Sequence, residues 1–100
     1  MTRRIVVRRL AERDIIDAED WYDAQRLGLG LEFREVLTDL LGRLAETPQL
    51  YPCIHGDVRR AVLRRFPYVV YYVIEGPSVV ILACLDSRRD PRLHRARARS

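Results

Sequence analysis

Residues 68–86 read Tyr-Val-Val-Tyr-Tyr-Val-Ile-Glu-Gly-Pro-Ser-Val-Val-Ile-Leu-Ala-Cys-Leu-Asp. Two uncharged apolar runs of seven residues, Tyr68 to Ile74 and Val79 to Leu85, flank the turn Glu75-Gly76-Pro77-Ser78. β-Branched and aromatic side chains dominate both runs, so the stretch predicts a β-hairpin with strands Tyr68 to Glu75 and Val79 to Asp86. An apolar run that does not alternate with polar residues predicts a strand covered on both faces. That places Tyr68 to Glu75 at the centre of a sheet. Just upstream, Val58 to Phe66 reads as a further strand, with arginines at 59, 60, 64 and 65.

Working outward, the period of the apolar residues changes. Ala11, Ile15, Ala18 and Tyr22 recur at helical spacing, with Glu12, Asp17, Asp20 and Asp23 between them. This predicts a helix over about residues 10–26, ended by Gly28-Leu29-Gly30. Leu29, Phe33, Val36, Leu37, Leu40 and Leu44 form the stripe of a second helix, opposite Glu32, Glu35, Asp39, Arg43 and Glu46. Thr47-Pro48 ends it, because proline disfavours helical geometry in the residue before it. So short a glycine turn predicts an antiparallel helical hairpin. Residues 3–8, Arg-Arg-Ile-Val-Val-Arg, suit an opening strand, and residues 49–57 read as a loop. The predicted order is β-α-α-β-β-β. This is an α+β fold, with the helical hairpin packed on one face of a largely antiparallel sheet. Residues 1–100 form one domain with a basic C-terminal tail from about residue 92.

Composition narrows the function. At 48% hydrophobic and 32% charged residues the chain is ordinary globular material, so disorder and fibrous folds are excluded. No apolar run approaches the roughly 20 residues of a membrane helix, so no membrane partner is expected. The opening Met1-Thr2-Arg3-Arg4-Ile5-Val6-Val7-Arg8 lacks the apolar stretch of a signal peptide, which leads to the expectation of a cytoplasmic protein. All 18 basic residues are arginine. Arginine stays protonated, so it clamps phosphates and carboxylates but serves as neither general base nor Schiff-base amine. Residues 1–50 hold 8 arginines against 10 acids, and residues 51–100 hold 10 against 4. A basic second half suits a polyanion or an acidic protein partner; solubility alone accounts for it equally well. Cys53 and Cys84 form no C-x-x-C pair and have no histidine at metal-ligand spacing. No metal and no cofactor is expected. Cys84 reads as a core residue and Cys53 as a free thiol.

The segment Arg-Arg-Ala-Val-Leu-Arg-Arg-Phe-Pro-Tyr-Val-Val-Tyr-Tyr-Val (59–73) resembles the R-F-P-Y-x-V-x-Y core of the ParE/RelE toxin superfamily. Asp-Ser-Arg-Arg-Asp-Pro (86–91) is similar to its closing H-x-R-R-D-P motif. Asp14, Ala18 and Trp21-Tyr22 fit its first helix. Gly30 to Phe33, with Pro48 and Tyr51-Pro52, fit its second helix and exit. The resemblance spans nearly the whole chain and points to the ParE-like branch. Two positions depart from the pattern: Asp86 stands where the family often has histidine, and His94 where it often has tryptophan.

The resemblance implies the toxin of a type II toxin–antitoxin pair, of the kind called plasmid-stabilisation proteins. Its partner would be a cognate acidic antitoxin. ParE-type members poison DNA gyrase without covalent chemistry. RelE-type members cleave mRNA on the ribosome and typically place lysines at the site, so a chain without lysine is expected to be a binding poison rather than an enzyme. The alternatives are a RelE-type mRNA endonuclease and an inactive antitoxin-binding module.

Candidate target- or antitoxin-binding residues are Arg60, Arg64, Arg65, Tyr68, Arg88 and Arg89. The arginines at 64, 65, 88 and 89 fall at the ends of two predicted strands on one edge of the sheet, where guanidinium forks suit phosphates or carboxylates. A solvated rim would have the same composition. Tyr68, beside Pro67, is the tyrosine expected to be exposed and able to stack, whereas core packing is expected for Tyr71 or Tyr72. Cleavage by 2′-hydroxyl attack needs a paired base and acid. His55, His94, Asp86 and the tyrosines form no such pair by spacing, so no catalytic residue is assigned.

Overall fold

The structure, a computed structural model, describes residues 2–88 and 97–98. Strand β1 (Arg4–Val7) leads into helix α1 (Arg9–Gln25) and helix α2 (Leu29–Glu46). A 3-10 turn (Pro48–Leu50) and strands β2 (Cys53–His55), β3 (Val58–Val62), β4 (Tyr68–Glu75) and β5 (Ser78–Asp86) follow. The α+β class, the helical hairpin and the central hairpin are as the sequence predicts. Arg89, His94 and most of the tail from residue 92 lie outside the described residues.

The expected stripes are the ones buried. Ala11, Ile15, Ala18 and Tyr22 are buried on α1, and Phe33, Val36, Leu37, Leu40 and Leu44 on α2. Gly28, at φ +92°, turns the chain between the helices. Gly30 then lets them touch: a Cβ built there would sit 2.6 Å from the Glu19 carbonyl oxygen and 2.8 Å from Asp23 Oδ1. The Gly30 N–H donates to that Asp23 oxygen at 2.8 Å, so a carboxylate of α1 caps the first turn of α2. Arg34 and Glu19 pair across the hairpin.

The strand order is β1-β5-β4-β3-β2, with β1 parallel to β5 and every other pair antiparallel. β4 is central, and Val69, Val70, Tyr71 and Tyr72 are all buried. Two details differ from the sequence reading. β3 stops at Val62 instead of Phe66, because Arg65 takes a left-handed φ of +67° and folds residues 63–67 into a turn. The predicted loop 49–57 contains the extra edge strand β2, whose three residues are too few to show a period.

A bulge lies between β4 and β5. Tyr71 pairs with Ala83 and Tyr72 with Ile81, which leaves Leu82 as the extra residue. Leu82 and Ala83 therefore face the same side, and Cys84 returns to the helix side. The core has two parts. One lies between the helices and the sheet, around Phe33, Leu37, Val70, Tyr72 and Ile81. The other lies on the opposite face, around Val58, Val69, Tyr71, Leu82 and Leu85.

Candidate functional site

The antiparallel register decides which candidates meet. Val62 pairs with Val69, and Tyr68 with Asp86. The β3–β4 turn and the end of β5 therefore share one end of the sheet, where the Ser87 N–H donates to the Pro67 carbonyl at 2.7 Å. Arg64, Arg65, Tyr68 and Arg88 are gathered there. Arg60 is not, because it pairs with Tyr71 and so faces the opposite side of the sheet. Arg89 lies outside the described residues.

The gathered arginines are tied to acids of their own chain. Arg65 Nη2 donates to Glu32 Oε1 at 2.8 Å, and Arg26 Nη2 donates to Glu32 Oε2 at 3.1 Å. The hydrogen bond from Arg65, then that from Arg26, holds the Glu32 carboxyl below the usual carboxylate range. Arg65 also lies over the Phe66 ring, 5.1 Å from its centroid. Arg64 stands 3.8 Å from Asp39. Arg88 binds Asp86 three times: its backbone N–H and Nε donate to Oδ1 at 2.9 Å each, and Nη2 donates to Oδ2 at 2.6 Å. These pairs are exposed, so they orient the guanidinium groups and can yield to a competing anion.

Beside the rim opens a cavity of about 510 Å³, lined by Trp21, Tyr22, Pro67, Tyr68, Asp86 and Arg88. Its floor is an aromatic cluster. Tyr22 contacts Trp21 edge-on at 5.1 Å, Phe33 at 5.5 Å and Phe66 at 4.9 Å, and Phe33 contacts Tyr68 at 5.2 Å. Burial, and then the Asp86 charge, push the Tyr22 phenol above its ordinary value, so it stays neutral. Tyr68 is half-buried at the start of β4, whereas Tyr71 and Tyr72 are core residues. The Tyr72 hydroxyl donates to the Pro48 carbonyl at 2.7 Å. His55 is remote from the rim. It pairs with Val58 at the start of β3, and the rim lies beyond the end of that strand. Among the described residues no group of His, Cys, Asp and Glu could hold a metal ion, and no helix is long and apolar enough to cross a membrane.

Two residues that carry structure here were not singled out from the sequence as a pair. Past the end of β1, no strand among the described residues pairs with the outer edge of β5. The Cys84 N–H donates to Asp14 Oδ2 at 3.0 Å. Arg97 Nη1 and Nη2 grip the same carboxylate at 2.7 and 2.9 Å, and Nη1 also reaches the Leu82 carbonyl at 3.3 Å. The available signal was the position of Asp14: it follows Ala11 by three residues and so lies on the buried face of α1.

Comparison with known proteins is consistent with this geometry. No curated protein matches the sequence significantly. Among solved structures, a chain of the chromosomal ParDE TA system from P. aeruginosa shares the fold, with a TM-score of 0.74 at 18% identity over 83% of this chain and 94% of that one. Residues 5–91 match the family described as ParE toxin of type II toxin-antitoxin system, parDE. With the match covering most of its length, the chain belongs to the ParE toxin family of type II toxin–antitoxin systems.

Proposed function

We propose that this ParE-family toxin acts in the cytoplasm by binding and poisoning DNA gyrase, and that a cognate acidic antitoxin neutralises it by covering the arginine rim. The observation that carries this reading is the makeup of the rim. Arg64, Arg65 and Arg88 lie at the same end of the sheet as Tyr68, each facing a carboxylate of its own chain that a partner's acid can replace. Strand-transfer or cleavage chemistry on RNA would need a base and an acid at hydrogen-bond reach of one phosphate. The only imidazole among the described residues, His55, is at the far end of β3. Guanidinium groups, a tyrosine and ion-paired carboxylates make a binding surface.

The test compares two assays on the same protein. Purified toxin is added to a gyrase supercoiling reaction, and ribosome-bound mRNA from induced cells is mapped by primer extension. Loss of supercoiling with intact mRNA is expected. Codon-specific cuts with normal gyrase activity would overturn the reading in favour of a RelE-type nuclease. For the antitoxin, Arg64→Ala combined with Arg88→Ala is expected to weaken the complex and flatten its salt dependence. Unchanged affinity and salt dependence would leave the rim a merely solvated surface.

A further inference from the structure

Glu32 joins two guanidinium groups from separate elements. Arg65 Nη2 donates to its Oε1 at 2.8 Å and Arg26 Nη2 to its Oε2 at 3.1 Å. Arg26 closes α1, and Arg65 lies in the turn after β3. The backbone is bent to deliver the second of them. The Phe66 N–H donates to the Arg64 carbonyl at 2.7 Å, which closes a three-residue turn on Arg65 at a φ of +67°. Such a turn is rare and strained for a residue with a side chain. The other left-handed positions among the described residues are all glycine: Gly28, Gly56 and Gly76. Glycine would sit at position 65 without strain, so the arginine there answers to its side chain and not to its backbone. The side chains of Arg26, Arg65 and Glu32 are 60%, 53% and 35% exposed. A partner therefore reaches both guanidinium groups, and Glu32 has room to swing into solvent.

We propose that Arg26 and Arg65 form a two-guanidinium clamp for a carboxylate of the acidic antitoxin, and that Glu32 is its resident competitor, displaced when the partner's acid arrives. The inference rests on the reading of the arginine rim as the antitoxin surface, and it adds Arg26 to that surface. The chemistry of the occupant is written in what the clamp already holds: two guanidinium forks, one on each oxygen of a carboxylate. The clamp keeps that acid ionised, as it would a partner's. A phosphate suits the same donors, but two leucines select a protein segment. Leu27, next to Arg26, is 90% exposed, and Leu31, next to Glu32, is 64% exposed. A segment that carries an acid beside apolar side chains meets both needs. Displacement costs little, because an exposed ion pair contributes little and the incoming pairs replace it in kind. Glu32 then works as a brake. With it present, the clamp carries one net positive charge and takes only a carboxylate that outcompetes a tethered one, which sets the affinity below what two free arginines would give.

The test uses the full-length protein and fluorescein-labelled hexaglutamate, with binding read by anisotropy in about 0.1 M salt, where the screening length is about 10 Å. Glu32→Gln is expected to bind the peptide roughly fivefold more tightly than the parent. Glu35→Gln removes an exposed acid from the same helix and is expected to gain no more than roughly twofold. Adding Arg26→Ala to Glu32→Gln should cancel the gain. Equal gains from the two glutamate variants would reduce the effect to overall charge. An unchanged or weaker Glu32→Gln would show that Glu32 does not compete, and a gain that survives Arg26→Ala would show that no clamp is used. Preferential binding of labelled hexathymidylate over the peptide would make the pair a phosphodiester site. Each of these four results overturns the proposal. The double variant Arg64→Ala with Arg88→Ala, run beside them, separates the two readings. If it weakens the peptide while Glu32→Gln changes nothing, the clamp fails and the rim stands; if the parent binds no peptide, both fail.

Discussion

Glu32 holds two guanidinium groups, Arg65 from the β3–β4 turn and Arg26 from the end of the first helix. Its folded pKa is depressed below the ordinary value of 4.5, so the fold favours the carboxylate. That stabilisation is fully present above about pH 4.5 and is lost as the pH falls through the lower folded value. Glu32→Gln should therefore have a lower urea midpoint than the parent at neutral pH, and the gap should close in acid. A gap that persists unchanged at low pH would show that the charge is not what holds Arg65. The two cysteines make a sharper contrast. Cys53 is exposed, while burial and then the Asp14 charge push the Cys84 thiol up to about 12. One thiol per chain should react with Ellman's reagent in native buffer and the second only in denaturant. Rapid reaction of both would contradict the packing around β5. At Asp86, three hydrogen bonds from Arg88 account for the carboxylate without any catalytic duty. Asp86→His should fold with a change of about 1 kcal/mol or less and still arrest growth. Loss of arrest by a folded variant would reopen the nuclease reading.

At the scale of elements, the helical hairpin depends on one glycine. A methyl group at Gly30 would stand 2.6 Å from a backbone carbonyl oxygen that cannot swing aside. Gly30→Ala should therefore cost about 2 kcal/mol, lowering Tm by roughly 8–15 °C, despite the better helix propensity of alanine. Gly42 in the same helix has nothing within 4 Å of its Cβ position. Gly42→Ala should gain up to about 1 kcal/mol. Thermal melts of the two variants should move in opposite directions. If both are stabilised, the helices are not in contact at Gly30. The glycine turn and both stripes were legible because a helix repeats its buried face every three to four residues, and that rhythm is local. The end of β3 was not legible. Arg64-Arg65-Phe66 continues the strand composition, and only the left-handed backbone at Arg65 shows the turn.

Over the whole molecule, the C-terminal segment is tied back to the first helix by Arg97 and Asp14, 83 positions apart. The pair is largely sheltered, with side chains 19% and 12% exposed, and it satisfies the Cys84 N–H and the Leu82 carbonyl on a sheet edge that no described strand covers. Asp14→Ala strands both the amide and the guanidinium, so a loss of about 2–3 kcal/mol is expected. A double-mutant cycle with Arg97→Ala should return a coupling of about 1 kcal/mol or more. Additive effects would mean that the two side chains do not support each other.

The sequence by itself determined the family, the α+β class, the helical stripes and the central hairpin, since each rests on residue period or on a contiguous motif. It also marked Arg64, Arg65, Tyr68 and Arg88, because strands joined by hairpins must bring alternate ends together. Tertiary structure alone decided what those residues face. Arg60 goes to the other side of the sheet because side chains alternate along β3. Leu82 is squeezed out of register by the bulge, which sets the side on which Ala83 and Cys84 point. A hollow of about 220 Å³ forms where Asp14, Asp17 and Trp21 of one helix meet Tyr68 and Asp86 of two strands. Those residues lie up to 72 positions apart, and no periodicity in a chain encodes a contact made only when distant faces close on each other.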